Sequence, residues 1–371
     1  MPAHPRPDRI RLVVLFGGRS AEHEVSCVSA ASVLGAVDPA RYDVVPVGIT
    51  AGGRWVLDAA AARALAEGGT RALPSALKAE GPELDPLPTV VPEGPDGDRR
   101  VVVLPLLHGP LGEDGTMQGL LELAGVPYVG TGVLGSALAM DKGKAKQVLG
   151  AAGLPQARHL VRRDVEVDEA LAKEVDKELG WPVFVKPANL GSSVGISKVA
   201  EAEALAGAVE LALAYDEWVV IEEAVVGREL ECGVLGDTHL EASVVGEILP
   251  KREFYDFEDK YGADSADLAV PADLPEVVAE ECRRLAVAAA RALRAEGMAR
   301  VDFFYEEAGR GLLVNEVNTI PGFTPVSMFP RLWEAAGVPY DELVDRLVGL
   351  ALERHARRAG RVGRRRQLGT S

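Results

Sequence analysis

The strongest constraint on the fold is where the apolar runs stop. Ile10–Phe16 is apolar and rich in β-branched residues, and it ends on Gly17-Gly18; Val101–Leu107 is similar and ends on His108-Gly109-Pro110. Apolar runs of this length closed by glycine read as strands buried on both faces. Between them, Val25–Val37 carries small and apolar residues at helical spacing, and Tyr42–Ile49 is again strand-like. Strand, helix, strand and a return to strand imply a parallel α/β sheet over about the first 130 residues. In open sheets of this kind, ligands sit beyond the strand C-termini. Two polar stretches fall there, Gly17–Ser26 and His108–Thr116. Residues 51–100, with six prolines, read as irregular peripheral structure.

Further along, the pattern gives a helix over 141–152, a strand over 157–162, a helix over 165–180 and a strand over 182–186. A Gly/Ser loop at 189–195, a helix over 201–214 and a strand over 217–222 complete a second small α/β unit. The character then changes. Glu229–Leu235 and Glu241–Ile248 look like antiparallel strands, and Leu274–Ala295 like a long helix. Ala299–Tyr305 and Gly311–Val317 read as two strands joined near Gly309, and residues 340–355 as a last helix.

Composition limits the function classes. The 371 residues carry 40 Lys+Arg against 56 Asp+Glu, a net charge of −16, with 47% hydrophobic residues. That balance is globular, and the length suits two or three domains. The acidic excess argues against nucleic acid and anionic membranes as partners. One segment runs the other way: Arg354–Arg366 holds seven arginines and no acid, and reads as a solvated, frayed end. Cys27, Cys232 and Cys282 are scattered, with no CxxC, which indicates a reducing compartment. The longest uncharged stretch, Leu123–Met140, is broken by four glycines and Pro127, so no membrane span is expected. The N-terminal apolar run is too short for a signal segment. A cytoplasmic protein is the natural expectation.

Four clusters carry chemistry. In the first, Arg300 and Asp302 share one strand face, and Glu316 and Asn318 share another. A hairpin would bring Asp302, Glu316 and Asn318 together as hard oxygen ligands suited to Mg²⁺. A salt-bridged surface around Arg300 fits the same residues equally well. The second cluster is Lys186 followed by Gly191-Ser192-Ser193-Val194-Gly195, a strand-delivered lysine and a loop able to wrap phosphate oxygens. The string also matches G-x-S-x-G, but the elbow needs a helix directly after the serine and a later histidine. Here the loop leads into Ile196-Ser197-Lys198 and not directly into a helix, and the only later histidines are His239 and His355, the second in the basic tail. Gly130–Gly135 formally matches GxGxxG, yet it lacks the strand context and the later acid of a dinucleotide site. The third cluster, Glu222-Glu223 at a strand end, could bind a ribose or an exocyclic amine, or lie on a solvated edge. The fourth, Phe254–Tyr261, sets four aromatics around acids and Lys260, as a lid or as a local staple.

Taken together, the motifs resemble the D-alanine–D-alanine ligases of the ATP-grasp superfamily. The matching strings are Gly17–Ser26, His108–Gly119, Met140–Lys142, Val185–Pro187 with Gly191–Gly195, Phe254–Tyr261, Arg300–Asp302 and Asn315–Gly322, in family order. The resemblance implies an α/β (α+β) chain with a three-domain ATP-grasp fold. Its N-terminal parallel α/β domain would cover 1–138, the central subdomain 139–224 and the C-terminal subdomain with its lid 225–356. Residues 357–371 would be a disordered basic tail.

It also implies roles. Lys142, Lys186, Ser192 and Ser193 would hold the phosphates of ATP, with Lys260 added from the lid. Adenine would lie near Glu222 and ribose near Glu229. Asp302, Glu316 and Asn318 would bind two Mg²⁺ ions, with Mn²⁺ as a substitute. Glu22 would anchor the ammonium of the first D-alanine beside His108, and Ser327 would receive the carboxylate of the second. Arg300 and the N–H of Gly322 would face the tetrahedral oxyanion. Glu22, Ser192 and Tyr261 would form a hydrogen-bonded triad that closes the lid. The sequence departs from some relatives at Glu223, where they carry lysine. A homodimer is implied as well. The alternatives are a D-alanine–D-lactate ligase, which Tyr261 disfavours, and a catalytically inactive binder on the same scaffold.

Overall fold

Strand β1 (Ile10–Gly17) pairs in parallel with β2 (Tyr42–Ile49) on one side and β4 (Val101–Pro105) on the other. Strand β3 (Trp55–Leu57) closes the far edge antiparallel to β2, giving the order β3-β2-β1-β4. These features come from a computed structural model that describes residues 9–68, 73–91, 100–191, 194–249 and 267–361. The apolar run of β1 is continuous because both its faces are buried. Leu12, Val14 and Phe16 join the core shared with α1 (His23–Ala36), while Val13 and Leu15 join a second core with Val103, Met117 and Leu121 on the other side. The expected parallel sheet is thus present. Residues 51–100 contribute more than irregular chain, supplying β3 and the helices α2 (Ala59–Gly68) and α3 (Pro86–Val90).

Helices α4 (Thr116–Ala124), α5 (Val133–Met140) and α6 (Lys142–Ala151) lead to the second sheet. Its strands are β5 (His159–Arg163), β6 (Val183–Pro187), β7 (Ser197–Val199) and β8 (Trp218–Glu223), ordered β5-β8-β6-β7 and antiparallel throughout. Helices α7 (Leu171–Glu178) and α8 (Leu205–Leu213) cover one face, packing Val175 and Val209 against Val183, Val185 and Ile221. Helix α7 starts later than the pattern suggests. Asp168 Oδ1 accepts the Ala170 N–H at 2.9 Å, a local turn that competes with helix before Leu171.

The third sheet, order β11-β10-β9-β12-β13, is also antiparallel: β9 (Arg228–Gly236), β10 (Leu240–Leu249), β11 (Asp267–Ala269), β12 (Gly297–Glu306) and β13 (Gly311–Asn318). Helix α9 (Glu276–Ala292) packs on one face through Cys282, Leu285 and Ala289, against Leu230, Cys232, Val301 and Phe303. The alternate residues Glu229, Glu231, Arg300 and Asp302 therefore face the other way. On β13 the alternation breaks. Phe303 opposes Val314 while Asp302 opposes Glu316, so Asn315 is the extra residue of a bulge. The bulge lets Val314 stay in the α9 core and still turns Glu316 to the side of Asp302.

Helices α10 (Met328–Ala335) and α11 (Tyr340–Ala359) return the chain to the first sheet. Val344, Leu347, Val348 and Ala351 complete the core beneath β1, and Tyr42 Oη donates to Asp345 Oδ1 at 2.6 Å. Here the expectation of a frayed basic end is corrected for the residues described. Arg354 is 4% exposed and donates to the Tyr128 carbonyl at 2.6 Å and to the Gly130 carbonyl. Its guanidinium stacks 4.4 Å above the Tyr128 ring. Arg357 pairs with Asp237 at 2.7 Å, and Arg358 bonds Glu122 at 2.9 Å and Glu296 at 2.6 Å. The cluster is basic because it caps carbonyls and acids from three other parts of the chain. Among the described residues, no helix is long and apolar enough to cross a membrane.

Replacing Arg354 with Met removes the donor for two carbonyls and a stacked cation. We expect a loss of about 2–4 kcal/mol in stability, read from urea unfolding; a change under about 0.5 kcal/mol would contradict the clamp.

Candidate active site

A cleft of about 1240 Å³ runs between the second and third sheets, with loops of the first sheet at one end. That exceeds the roughly 300–1,000 Å³ typical of one small ligand. All twelve described residues singled out from the sequence line it: Glu22, His108, Lys142, Lys186, Glu222, Glu229, Arg300, Asp302, Glu316, Asn318, Gly322 and Ser327. Ser192, Ser193, Lys260 and Tyr261 lie outside the described residues.

The third sheet supplies a row of acids. Glu231 on β9 opposes Asp302 on β12, which opposes Glu316 on β13. Like charges side by side on a sheet repel, and cations answer them. Arg300 grips Asp302 with two bonds, Nε to Oδ1 at 2.7 Å and Nη2 to Oδ2 at 2.6 Å. Its Nε also lies 3.0 Å from Glu231 Oε2. Burial alone would lower the Arg300 pKa, but Asp302 and Glu231 raise it well above the ordinary value. Lys142 Nζ stands 3.7 Å from Glu316 and donates to the Leu190 carbonyl at 2.6 Å. Asn318 Nδ2 donates to Asp302 Oδ2 at 2.9 Å. Two carboxylates and an amide are thus gathered at one end of the hairpin. Among the described residues, no group of three or more His, Cys, Asp or Glu is arranged as a metal site.

The second sheet supplies the opposite charge. On β6, Val183 and Val185 point into the core, so Phe184 and Lys186 face the cleft. Lys186 Nζ donates to Glu222 Oε2 at 2.6 Å, and Lys146 Nζ sits 3.0 Å from Glu222 Oε1. Burial would raise the Glu222 pKa, but the two lysines hold it far below the usual carboxylate range. The solvated-edge reading of Glu222-Glu223 is therefore wrong: they are 2% and 9% exposed. Glu223 binds Arg158 Nε at 2.8 Å and Arg310 Nη1 at 2.5 Å, tying β8 to the turn between β12 and β13. Both acids are buried because each has two cationic partners.

The first sheet's loops close the end. Glu22 precedes α1, and two glycines come down on it: a Cβ at Gly109 or at Gly191 would stand 3.3 Å from Glu22 Oε2. Gly109 also has φ +74, which glycine adopts freely. His108 Nδ1 donates to the Ile320 carbonyl at 3.0 Å, which leaves Nε2 as a buried acceptor with no hydrogen-bond partner among the described residues. Burial lowers the His108 pKa, so the ring is neutral at pH 7. Glu113 accepts the Gly109 N–H at 2.8 Å; burial and the nearby Glu22 push it up to about 8. At the other end, Ser327 Oγ accepts the Thr324 N–H at 3.1 Å at the N-terminus of α10, and a Cβ on Gly322 would stand 3.1 Å from that oxygen.

Three residues escaped the sequence reading. Lys146 lies four residues after Lys142, on the same helix face, and Glu231 two after Glu229, on the same strand face. Those spacings were the available signals. Glu113 lies inside the quoted His108–Gly119 string, but nothing in its type or spacing separates it from Asp114.

Two antiparallel sheets closing on a cleft, with lysines on one and an acid–amide set on the other, have the form of an ATP-grasp protein. Residues 11–131 match the family description "D-ala D-ala ligase N-terminus" and residues 148–349 match "D-ala D-ala ligase C-terminus". The chain is 50% identical over 366 residues to a D-alanine--D-alanine ligase of Mycolicibacterium vanbaalenii, covering 93% of this chain and 98% of that one. The solved D-alanine-D-alanine ligase of Coxiella burnetii superposes with a TM-score of 0.79 at 33% identity, covering 95% and 96% of the two chains. The VanG D-Ala:D-Ser ligase of Enterococcus faecalis does so with 0.77 at 34%, covering 92% and 99%. The chain belongs to the D-alanine–D-alanine ligase family.

Glu113 gives a pH signature. Its folded pKa of about 8 lies above the ordinary glutamate value of 4.5. Between these values the folded state holds the extra proton, so this group makes stability fall as pH rises. Glu113→Gln removes that dependence. Relative to the wild type, the variant should gain stability steadily from about pH 5 to pH 8, followed by thermal melting; a pH-independent difference would contradict the assignment.

Proposed function

We propose that the protein joins two D-alanines to D-alanyl-D-alanine with conversion of ATP to ADP and phosphate, in the cytoplasm, for peptidoglycan precursor synthesis. Family membership supports this. The observation that carries it is the single cleft that gathers the phosphate-type lysines, the acid–amide set and the Glu22–His108 loops. The reaction has two steps. The first D-alanine carboxylate takes the γ-phosphoryl group, giving D-alanyl phosphate. The amine of the second then attacks the acyl carbon, and phosphate leaves.

The chain's own residues divide this work. Lys142 and Lys186 are fixed, by Leu190 and Glu222, where phosphate oxygens would lie, with Ser192, Ser193 and Lys260 completing the cradle. Glu222 and Glu229 are the adenine and ribose contacts. Asp302, Glu316 and Asn318 suit Mg²⁺, or Mn²⁺ in its place. All three offer hard oxygens, and the adjoining acids call for cationic charge. When bound, two such ions neutralise the phosphoryl group in transfer. Glu22 holds the first ammonium beside His108, and Ser192 and Tyr261 join it in closing the lid. Ser327 takes the second carboxylate, helped by the positive end of α10. Arg300 and the Gly322 N–H face the oxyanion. The reading extends to the three-part division at residues 138 and 224, and to a homodimer.

Tyr261 favours an amine acceptor over D-lactate. Phosphate release with ATP, Mg²⁺ and D-alanine should be brisk, and several-fold slower when D-lactate is the acceptor at neutral pH. Faster turnover with D-lactate would overturn the acceptor assignment; no turnover by folded protein would favour an inert binder. Glu316→Gln should cut kcat by at least about 100-fold with an unchanged melting temperature.

A further inference from the structure

Arg300 is held by two acids, and only one of them belongs to the proposed metal set. Asp302 takes it with two hydrogen bonds, at 2.7 and 2.6 Å, while Glu231 Oε2 lies 3.0 Å from its Nε as a buried ion pair. The position opposite Arg300 on β9 is Gly233, and Trp333 stands over it: a Cβ there would meet Trp333 Nε1 at 2.7 Å. The guanidinium is therefore turned along the acid row and not across it. Whatever draws the oxygens of Asp302 into coordination withdraws both bonds at once. Glu231, with its side chain 5% exposed, is then the acid that remains against Arg300.

We propose that Glu231 is a positioning residue, which keeps Arg300 in the cleft when Asp302 is committed to the metal. This rests on the reading of Asp302 as a metal ligand and of Arg300 as the oxyanion contact. With Glu231 in place, Arg300 has a second seat and Asp302 can be released. Without it, Arg300 clings to Asp302, competes with the metal, and is badly placed when that competition is lost. Glu231 touches neither substrate nor phosphate in this scheme.

The test measures Mn²⁺ binding by electron paramagnetic resonance, in the presence of ADP, for the wild type, Glu231→Gln and Asp302→Asn, together with steady-state kinetics. Glu231→Gln should weaken Mn²⁺ binding about fivefold and lower kcat about tenfold, the scale of losing one partly buried ion-pair partner. The KM for ATP should stay within about twofold. Glu231→Asp keeps the buried charge but draws it back by one methylene. It guards against a glutamine variant that does not fold, and it should lower kcat several-fold with the KM for ATP unchanged. Wild-type kcat in Glu231→Asp, or wild-type Mn²⁺ affinity in folded Glu231→Gln, overturns the proposal. Asp302→Asn separates the two levels. If it too binds Mn²⁺ normally, the metal reading fails and this proposal with it; if it binds weakly while Glu231→Gln does not, the positioning role alone fails.

Discussion

The site depends on a repulsion. Three carboxylates, Glu231, Asp302 and Glu316, stand in register across adjacent strands of one antiparallel sheet. Such a row is held only if cations are built around it, because burying uncompensated charge costs several kcal/mol per group. Much of the surrounding architecture can be understood as that compensation. Arg300 lies within the row, Lys142 reaches it from the start of α6, and the Asn315 bulge brings Glu316 into line with Asp302. The apolar half of the same strands, packed on α9, keeps the row from slipping, since a shift of one residue would bury every acid.

The second sheet solves the complementary problem. There the cations would repel, and Glu222 stands between Lys146 and Lys186. Lys186 is thus held facing the cleft by Glu222. Glu223 does a different job with the same side-chain type. Through Arg158 and Arg310 it fastens the second sheet to the far turn of the third, fixing one edge of the cleft. Adjacent glutamates on one strand therefore separate by face into a lysine-bound side and a fastening side.

Much of this was legible in the sequence, for physical reasons. Buried parallel strands, alternating strand faces and glycine-closed loops leave marks in the pattern, so the first sheet, the β12–β13 hairpin and the shared faces of Arg300, Asp302, Glu316 and Asn318 could be read from it, whereas Glu22, His108, Glu229, Gly322 and Ser327 were marked only by the family resemblance. Partnerships across distant segments leave none. Nothing in the run of arginines at 354–358 names Tyr128, Glu122, Asp237 or Glu296 as their partners. The bulge at Asn315 was hidden as well, because Glu316 and Asn318 share a face with or without it. Lys146 and Glu231 were visible only as spacing, which marks a shared face but not burial.

The closing helix α11 carries a consequence for how the chain comes to be folded. Val344, Leu347 and Val348 lie in the same core as Leu12, Val14 and Phe16, and Tyr42 is bonded to Asp345 across 303 residues of sequence. Strands β1 and β2 thus lack part of their core until α11, about 300 residues later in the chain, has been made. During translation the N-terminal sheet must wait with an apolar face uncovered, and contacts of such separation form slowly. A ribosome that stops short of α11 therefore releases a chain in which the sheet of β1 and β2 is still open on one face.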